Sequence, residues 1–201
     1  MRSWMTALAG IVILSTTTVG APAAAAPGIP AGFELKGTDT YVHRASGTEF
    51  PMLVVGFTRD RARPFDIAGK DVAVSYRQEI GGHPVIARIA MIQIVDLTPK
   101  EHYLGMKSLV GSYYKGMSFT AIQPQGEGPF TPKGMNVGSG YQGRFKAMQG
   151  DTPYELSLST VKLGAWDVRL TAAYPAAAAT EARKNILRLA ATLKKTGPAV
   201  K

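Results

Sequence analysis

Apolar and polar residues alternate with a period of two through "DVAVSYRQEI", Asp71 to Ile80. Val72, Val74 and Tyr76 fall on one side, and Ala73, Ser75 and Arg77 on the other. That period predicts a strand. Gly81-Gly82 then turns the chain into "HPVIARIAMIQIV", apolar on both sides apart from Arg88 and Gln93. Such a strand belongs near the centre of a sheet covered on both faces. Upstream, "TYVHRA" and "EFPMLVVGF" flank Ser46-Gly47-Thr48, a hairpin signal. Downstream, "PYELSLSTVKL" sets Tyr154, Leu156 and Leu158 against Glu155, Ser157 and Ser159. Beyond Gly164, "AWDVRLTAAY" sets inward Trp166, Val168, Leu170 and Tyr174 against outward Asp167 and Arg169.

Two stretches change to helical spacing. Thr98-Pro99-Lys100-Glu101 reads as a capping box with Pro at the first helical position. Tyr103, Met106, Val110, Tyr113, Tyr114 and Met117 follow on one side, with Glu101, Ser108 and Ser112 opposite. That stripe reads as core packing rather than a ligand box. After Pro175, Ala179, Ala182, Ile186, Leu189, Ala190 and Leu193 share a face opposite Glu181, Lys184, Arg188 and Lys195. Hairpins with two main amphipathic helices predict an α+β sandwich built on a largely antiparallel sheet. Hairpin-then-helix occurs twice, with no residue-level repeat behind it.

The chain ends are of another kind. Arg2, the apolar run "MTALAGIVIL" and the small residues up to Ala25 have the order of a secretory signal peptide. Ala23-Ala24-Ala25 fits its cleavage pattern, with Ala26 first in the mature chain. The expected division is a leader over 1–25, a flexible segment over 26–38, one domain over 39–196 and a tail over 197–201. A periplasmic or secreted location follows, with no transmembrane span after cleavage. The sequence has no cysteine, which excludes disulfides, thiolate chemistry and thiolate metal sites. Its formal net charge is +9, which suits anionic lipid, acidic polymers or acidic protein faces, or simply a solvated surface.

Charge clusters in one place. Arg59, Arg61 and Arg63 in "GFTRDRARPFD" share the parity of Leu53, Val55 and Phe57. Three unpaired guanidinium groups cannot follow apolar residues into a core. The strand must therefore end or bulge near Thr58, or the arginines project past the sheet end. Clustered Arg forks suit phosphate or carboxylate, so the three are anionic-contact candidates. The plainer reading is a solvated edge paired with Asp60 and Asp66.

Gly138, Gly140 and Gly143 in "NVGSGYQGRF" match G-x-G-x-x-G. A dinucleotide site needs those glycines between a strand and a helix. Here "RFKAMQGDTPYELSLS" follows, which reads as strand, turn and strand. Gly138 and Gly140 belong instead to a long loop over 123–140, either a flexible surface loop or a partner-contact loop carrying Lys133, with Tyr141 and Arg144 at its exit. No nucleotide, nucleic acid, cofactor or metal is expected. His43, His83 and His102 make no H-x-H, H-x-x-x-H or H-E-x-x-H pattern. The chain carries no G-x-S-x-G, S-x-x-K or P-loop, and no catalytic set emerges.

"SGTEFP", "DVAVSYRQ" and "VIARIAMIQIV" together resemble uncharacterised small secreted bacterial proteins. The ending "VRLTAAYPAAAATEARKNILRLAATL" looks like the end of PsbP-like α/β sandwiches. The resemblance implies antiparallel sheet with flanking helices, used for docking to protein complexes rather than catalysis. The leading expectation is an exported, non-enzymatic binding or assembly module of the bacterial cell envelope, with an envelope protein or anionic envelope component as partner. The alternative is an envelope hydrolase with a site assembled from distant residues. Its signature would be a histidine bonded to both a carboxylate and a Ser or Tyr hydroxyl in a cleft. A third reading is peripheral attachment to anionic lipid, which rising salt should release.

Overall fold

The computed structural model describes residues 28–94, 96–136 and 138–193. The leader expected over 1–25 and the tail over 197–201 lie outside the described residues. Three short strands, β1 (Phe33–Lys36), β2 (Thr40–His43) and β3 (Glu49–Phe50), form a small antiparallel sheet. The main sheet is two antiparallel meanders. The first is β4 (Leu53–Val54), β5 (Phe57–Pro64), β6 (Asp71–Ile80) and β7 (His83–Ile92). The second is β8 (Phe119–Phe130), β9 (Gly140–Gln149), β10 (Thr152–Leu163) and β11 (Trp166–Pro175). Their last strands pair, giving the order β4-β5-β6-β7-β11-β10-β9-β8. Helices α1 (Pro99–Lys107) and α2 (Val110–Lys115) link the meanders, and α3 (Ala179–Thr192) follows β11. The protein is an α+β sandwich on an antiparallel sheet, with the strand rich in apolar residues, β7, at its middle.

Alternation explains the layers. Val72, Val74 and Tyr76 of β6 are buried on the face that also holds Ile89, Leu170 and Tyr174. Helix α3 covers this face with Ala182, Ile186, Leu189 and Ala190, and the small sheet adds Phe33 and Phe50. On the opposite face α1 and α2 lie over the second meander, where Tyr103 and Tyr114 meet Phe145, Leu156 and Leu158. The capping box forms as its sequence requires. Thr98 Oγ1 accepts from Glu101 N–H, and the Glu101 carboxylate accepts from Thr98 N–H at 2.8 Å. The far end of α1's start is tied to the sheet by Thr160, whose hydroxyl donates to the Pro99 carbonyl at 2.6 Å.

Three expectations need correction. The helix predicted from Thr98 onward breaks after Lys107, where Leu109 N–H bonds back only three residues to the Met106 carbonyl. Gly105 and Gly111 on either side weaken helix continuity. Met117 is left outside the helix and partly exposed. The segment 26–38, expected to be flexible, supplies β1 with fully buried Phe33. The long loop over 123–140 is half strand: β8 runs to Phe130 as the sheet edge, and the loop shrinks to 131–139. Register shifts at Thr120/Gln123 and Pro124/Gly126 break the alternation that would have revealed it. Pro124 and Pro129 are tolerated because an edge strand leaves one row of N–H groups unused.

Candidate functional site

One irregularity in β5 decides where its arginines go. Arg59 lies opposite Tyr76, but Arg61 lies opposite Ser75, so the ladder slips at Asp60. A bulge of this kind puts flanking residues of like parity on opposite faces. Arg59 therefore turns into the closed face, buried, with its guanidinium 3.6 Å from the centre of the Tyr41 ring. Its Nη1 donates to the Phe50 carbonyl. Arg59 is a structural tie between the small and main sheets, not a surface contact, and this corrects its grouping with the other two. Arg61 and Arg63 are exposed on the opposite face.

On that face the strand register aligns residues from distant parts of the chain. One row across the sheet reads Arg61, Ser75, Arg88, Thr171, and the next reads Arg63, Ala73, Ala90, Arg169. Four guanidinium groups thus stand around a floor of small side chains. Helices α1 and α2 lie over β8 to β11, α1 overhangs the Ala90–Ile92 end of β7, and β5, β6 and the rest of β7 are left open here. Cavities of about 120 Å³ and 430 Å³ adjoin across the Ala73–Ala90 pair, the first lined by Arg61, Arg63, Ser75 and Arg88.

The electrostatics of this depression are one-sided. Among the described residues, no carboxylate lies within 4 Å of Arg61, Arg63, Arg88 or Arg169. The Arg88 guanidinium reaches only the Tyr113 hydroxyl, at 3.5 Å, and the Phe65 ring, 5.2 Å from its centre. Arg63 lies 5.4 Å from the same ring. Half-buried Arg169 points Nη1 at Met106 Sδ, 2.8 Å away, a weak acceptor. Burial and the neighbouring Arg88 hold its pKa below the usual arginine range. It nonetheless stays charged, as arginine does in proteins. Asp71 in the adjoining row is an opposing charge felt by Arg169 and Arg88; burial, then Asp66, raises its carboxyl above the ordinary value, against the pull of those two arginines.

The larger cavity runs under α1 and is walled by Ile92, Ile94, Leu97, Met106 and Leu109. His102 also lines it, 7% exposed, with an Nδ1 that has no hydrogen-bond partner. Asp167 Oδ1, similarly unpartnered, is 3.8 Å from that nitrogen. Lys162 holds the other Asp167 oxygen at 2.8 Å. Burial lowers the His102 pKa more than Asp167 raises it, so the ring is neutral at pH 7.

The remaining candidates are scattered. Lys133 is exposed in the 131–139 loop. Tyr141 packs on Tyr103, ring centres 4.9 Å apart, on the α1 side of the sheet. Arg144 points to the other side, 4.0 Å from Glu155. The three do not converge. Arg144 instead lines a cleft of about 220 Å³ beside α3, with Ser157, Tyr174 and Arg183. There Arg183 grips buried Glu155 through two nitrogens, and the Tyr174 hydroxyl donates to it at 2.6 Å.

The G-x-G-x-x-G glycines have a packing explanation. Gly140 opens β9 against the Phe130 ring, 2.6 Å from where a Cβ would stand. A Cβ at Gly143 would lie 1.9 Å from the Tyr103 hydroxyl. The motif leads into a strand, so no helix N-terminus faces it.

The histidines are not arranged for hydrolysis. His43 is fully buried, with Nε2 2.5 Å from the Gly69 carbonyl and Nδ1 2.8 Å from Ser46 Oγ. A carbonyl only accepts, so Nε2 carries the hydrogen and Nδ1 is left as the acceptor. His83 opens β7 opposite Ile80. Among the described residues none of the three meets both a carboxylate and a hydroxyl. No group of three or more His, Cys, Asp or Glu side chains there is placed to hold a metal ion. No described helix is long and apolar enough to cross a membrane.

Arg88 and Arg169 escaped selection in the sequence, although each left a signal. Arg88 interrupts an otherwise apolar central strand, and Arg169 faces away from the apolar set of its own strand.

No family model matches the chain, and no curated protein matches it. The Ran-binding protein Mog1p of Saccharomyces cerevisiae, known from a crystal structure, is similar at 11% identity. That likeness covers 68% of this chain and 89% of the yeast one, with a TM-score of 0.32. A likeness of that size carries no argument about what this chain binds.

Proposed function

We propose that the protein is an exported, non-enzymatic binding module of the bacterial cell envelope that holds an anionic group at the depression ringed by Arg61, Arg63, Arg88 and Arg169. The observation that carries this reading is the placement of four guanidinium groups on two adjacent cross-strand rows without a carboxylate partner. Uncompensated charge crowded around a small-residue floor is unfavourable by itself, and an anion relieves it. Arg forks match carboxylate or phosphate oxygens in pairs. Export rests on the leader pattern over 1–25.

The test is retention on heparin and on anionic liposomes across a salt series. The triple variant R61Q/R63Q/R88Q should elute at clearly lower salt than the parent while melting at the same temperature. Unchanged retention would overturn the reading. N-terminal sequencing of material from the native envelope should begin at Ala26; an intact Met1 would remove export.

A further inference from the structure

We infer that the anion received at this depression is the carboxylate head of a free, single-chain amphiphile whose tail lies in the cavity beneath α1. The inference rests on the anion-binding reading above and names the class of ligand. Ala73 of the charged cavity is paired with Ala90 of the apolar one, and Ala90 in turn with Arg169, so the charged and apolar cavities lie side by side across one strand pair. About 430 Å³ lies within the range of small-molecule pockets, which are mostly apolar with a few placed polar groups. The walls have that composition. Ile92, Ile94, Leu97 and Leu109 supply the apolar length, and Arg169 stands at its charged end.

The helix break has a part in this. It sets Leu109 between α1 and α2, where the side chain lines the cavity yet remains 53% exposed. An exposed leucine at the mouth of an apolar cavity gains from a tail laid against it. Asp71 also lines the cavity near Arg169, which favours a head group of one negative charge over two. Arg169 is half-buried beneath α1, so head and tail must enter together. That geometry suits a free molecule better than a lipid retained in a bilayer.

The experiment is titration calorimetry of the leaderless protein with dodecanoate, acetate and dodecyltrimethylammonium. Dodecanoate should bind at least about tenfold tighter than acetate, which burial of two methylenes already supplies. Dodecyltrimethylammonium should not bind. Arg169→Gln should weaken dodecanoate binding. Gly105 lines the cavity, and a Cβ there meets nothing within 4 Å, so Gly105→Phe sets a ring at the cavity from a position with room for the first side-chain carbon, and an unchanged melting temperature checks that the fold is kept. It should abolish dodecanoate binding and leave retention on heparin unchanged. The inference is overturned if dodecanoate binds no better than acetate, if the cationic amphiphile binds equally well, or if Gly105→Phe changes nothing. Retention on anionic liposomes without dodecanoate binding would sink this inference while the anion-binding reading stands. Loss of both would sink the two together.

Discussion

The two faces of the main sheet are made by alternate residues of the same strands, yet they have opposite characters. The face under α3 and the small sheet is closed, and where the small sheet meets it the polar side chains are engaged: Arg59 is stacked and bonded, and His43 is bonded through both ring nitrogens. The other face is closed only over the second meander. Over β5, β6 and β7 it carries small side chains and Arg61, Arg63 and Arg88, which have no carboxylate partner among the described residues; Arg77, farther along β6, pairs with Asp60. Stability is concentrated where helices cover the sheet, and the uncovered quarter is free to keep charge that no folding requirement explains.

That contrast is open to direct attack. The largest effect should come from Leu170→Ala on the closed face, where the side chain is 2% exposed. A cavity there should cost about 2–5 kcal/mol in denaturant unfolding; a loss under about 1 kcal/mol would mean this face is looser than described. Gly143→Ala probes the covered half of the opposite face. Its Cβ must displace the Tyr103 ring, and overpacking of this kind costs about 1–3 kcal/mol.

A smaller, pH-dependent effect should follow from His43. Burial lowers its pKa from the usual 6.5, although the bond to Gly69 and the charge of Asp66 oppose this. The unfolded chain then takes up the proton at higher pH than the folded one. The stability involved is complete above 6.5 and is lost as the pH falls from there through the folded-state pKa. Melting temperatures on either side of that value should show the loss, and His102, lowered in the same direction, adds to it. The smallest effect on stability belongs to R61Q/R63Q/R88Q, within about 0.5 kcal/mol of the parent. A large loss instead would make the arginines structural and erase the distinction between the covered and open regions.

Local order in the chain was enough for much of this architecture. The period of two marks β6 from Asp71 to Ile80 to the residue, and the apolar content of the next strand places it at the sheet centre. Thr98 and Glu101 announce the start of α1, because a cap is satisfied by residues three apart. Crowded arginines of one parity require an irregularity in β5, and the slip at Asp60 supplies it. These features depend on neighbours within a few positions, which is the range over which a pattern can be read. Tertiary structure decided the rest. Bulges and edge prolines hide β8 from any periodic reading, since its register is set by β9. The depression itself exists because Arg63, Ala73, Ala90 and Arg169, spread over a hundred positions, fall in one cross-strand row. Strand pairing creates that row, and no local pattern encodes a contact between segments so far apart.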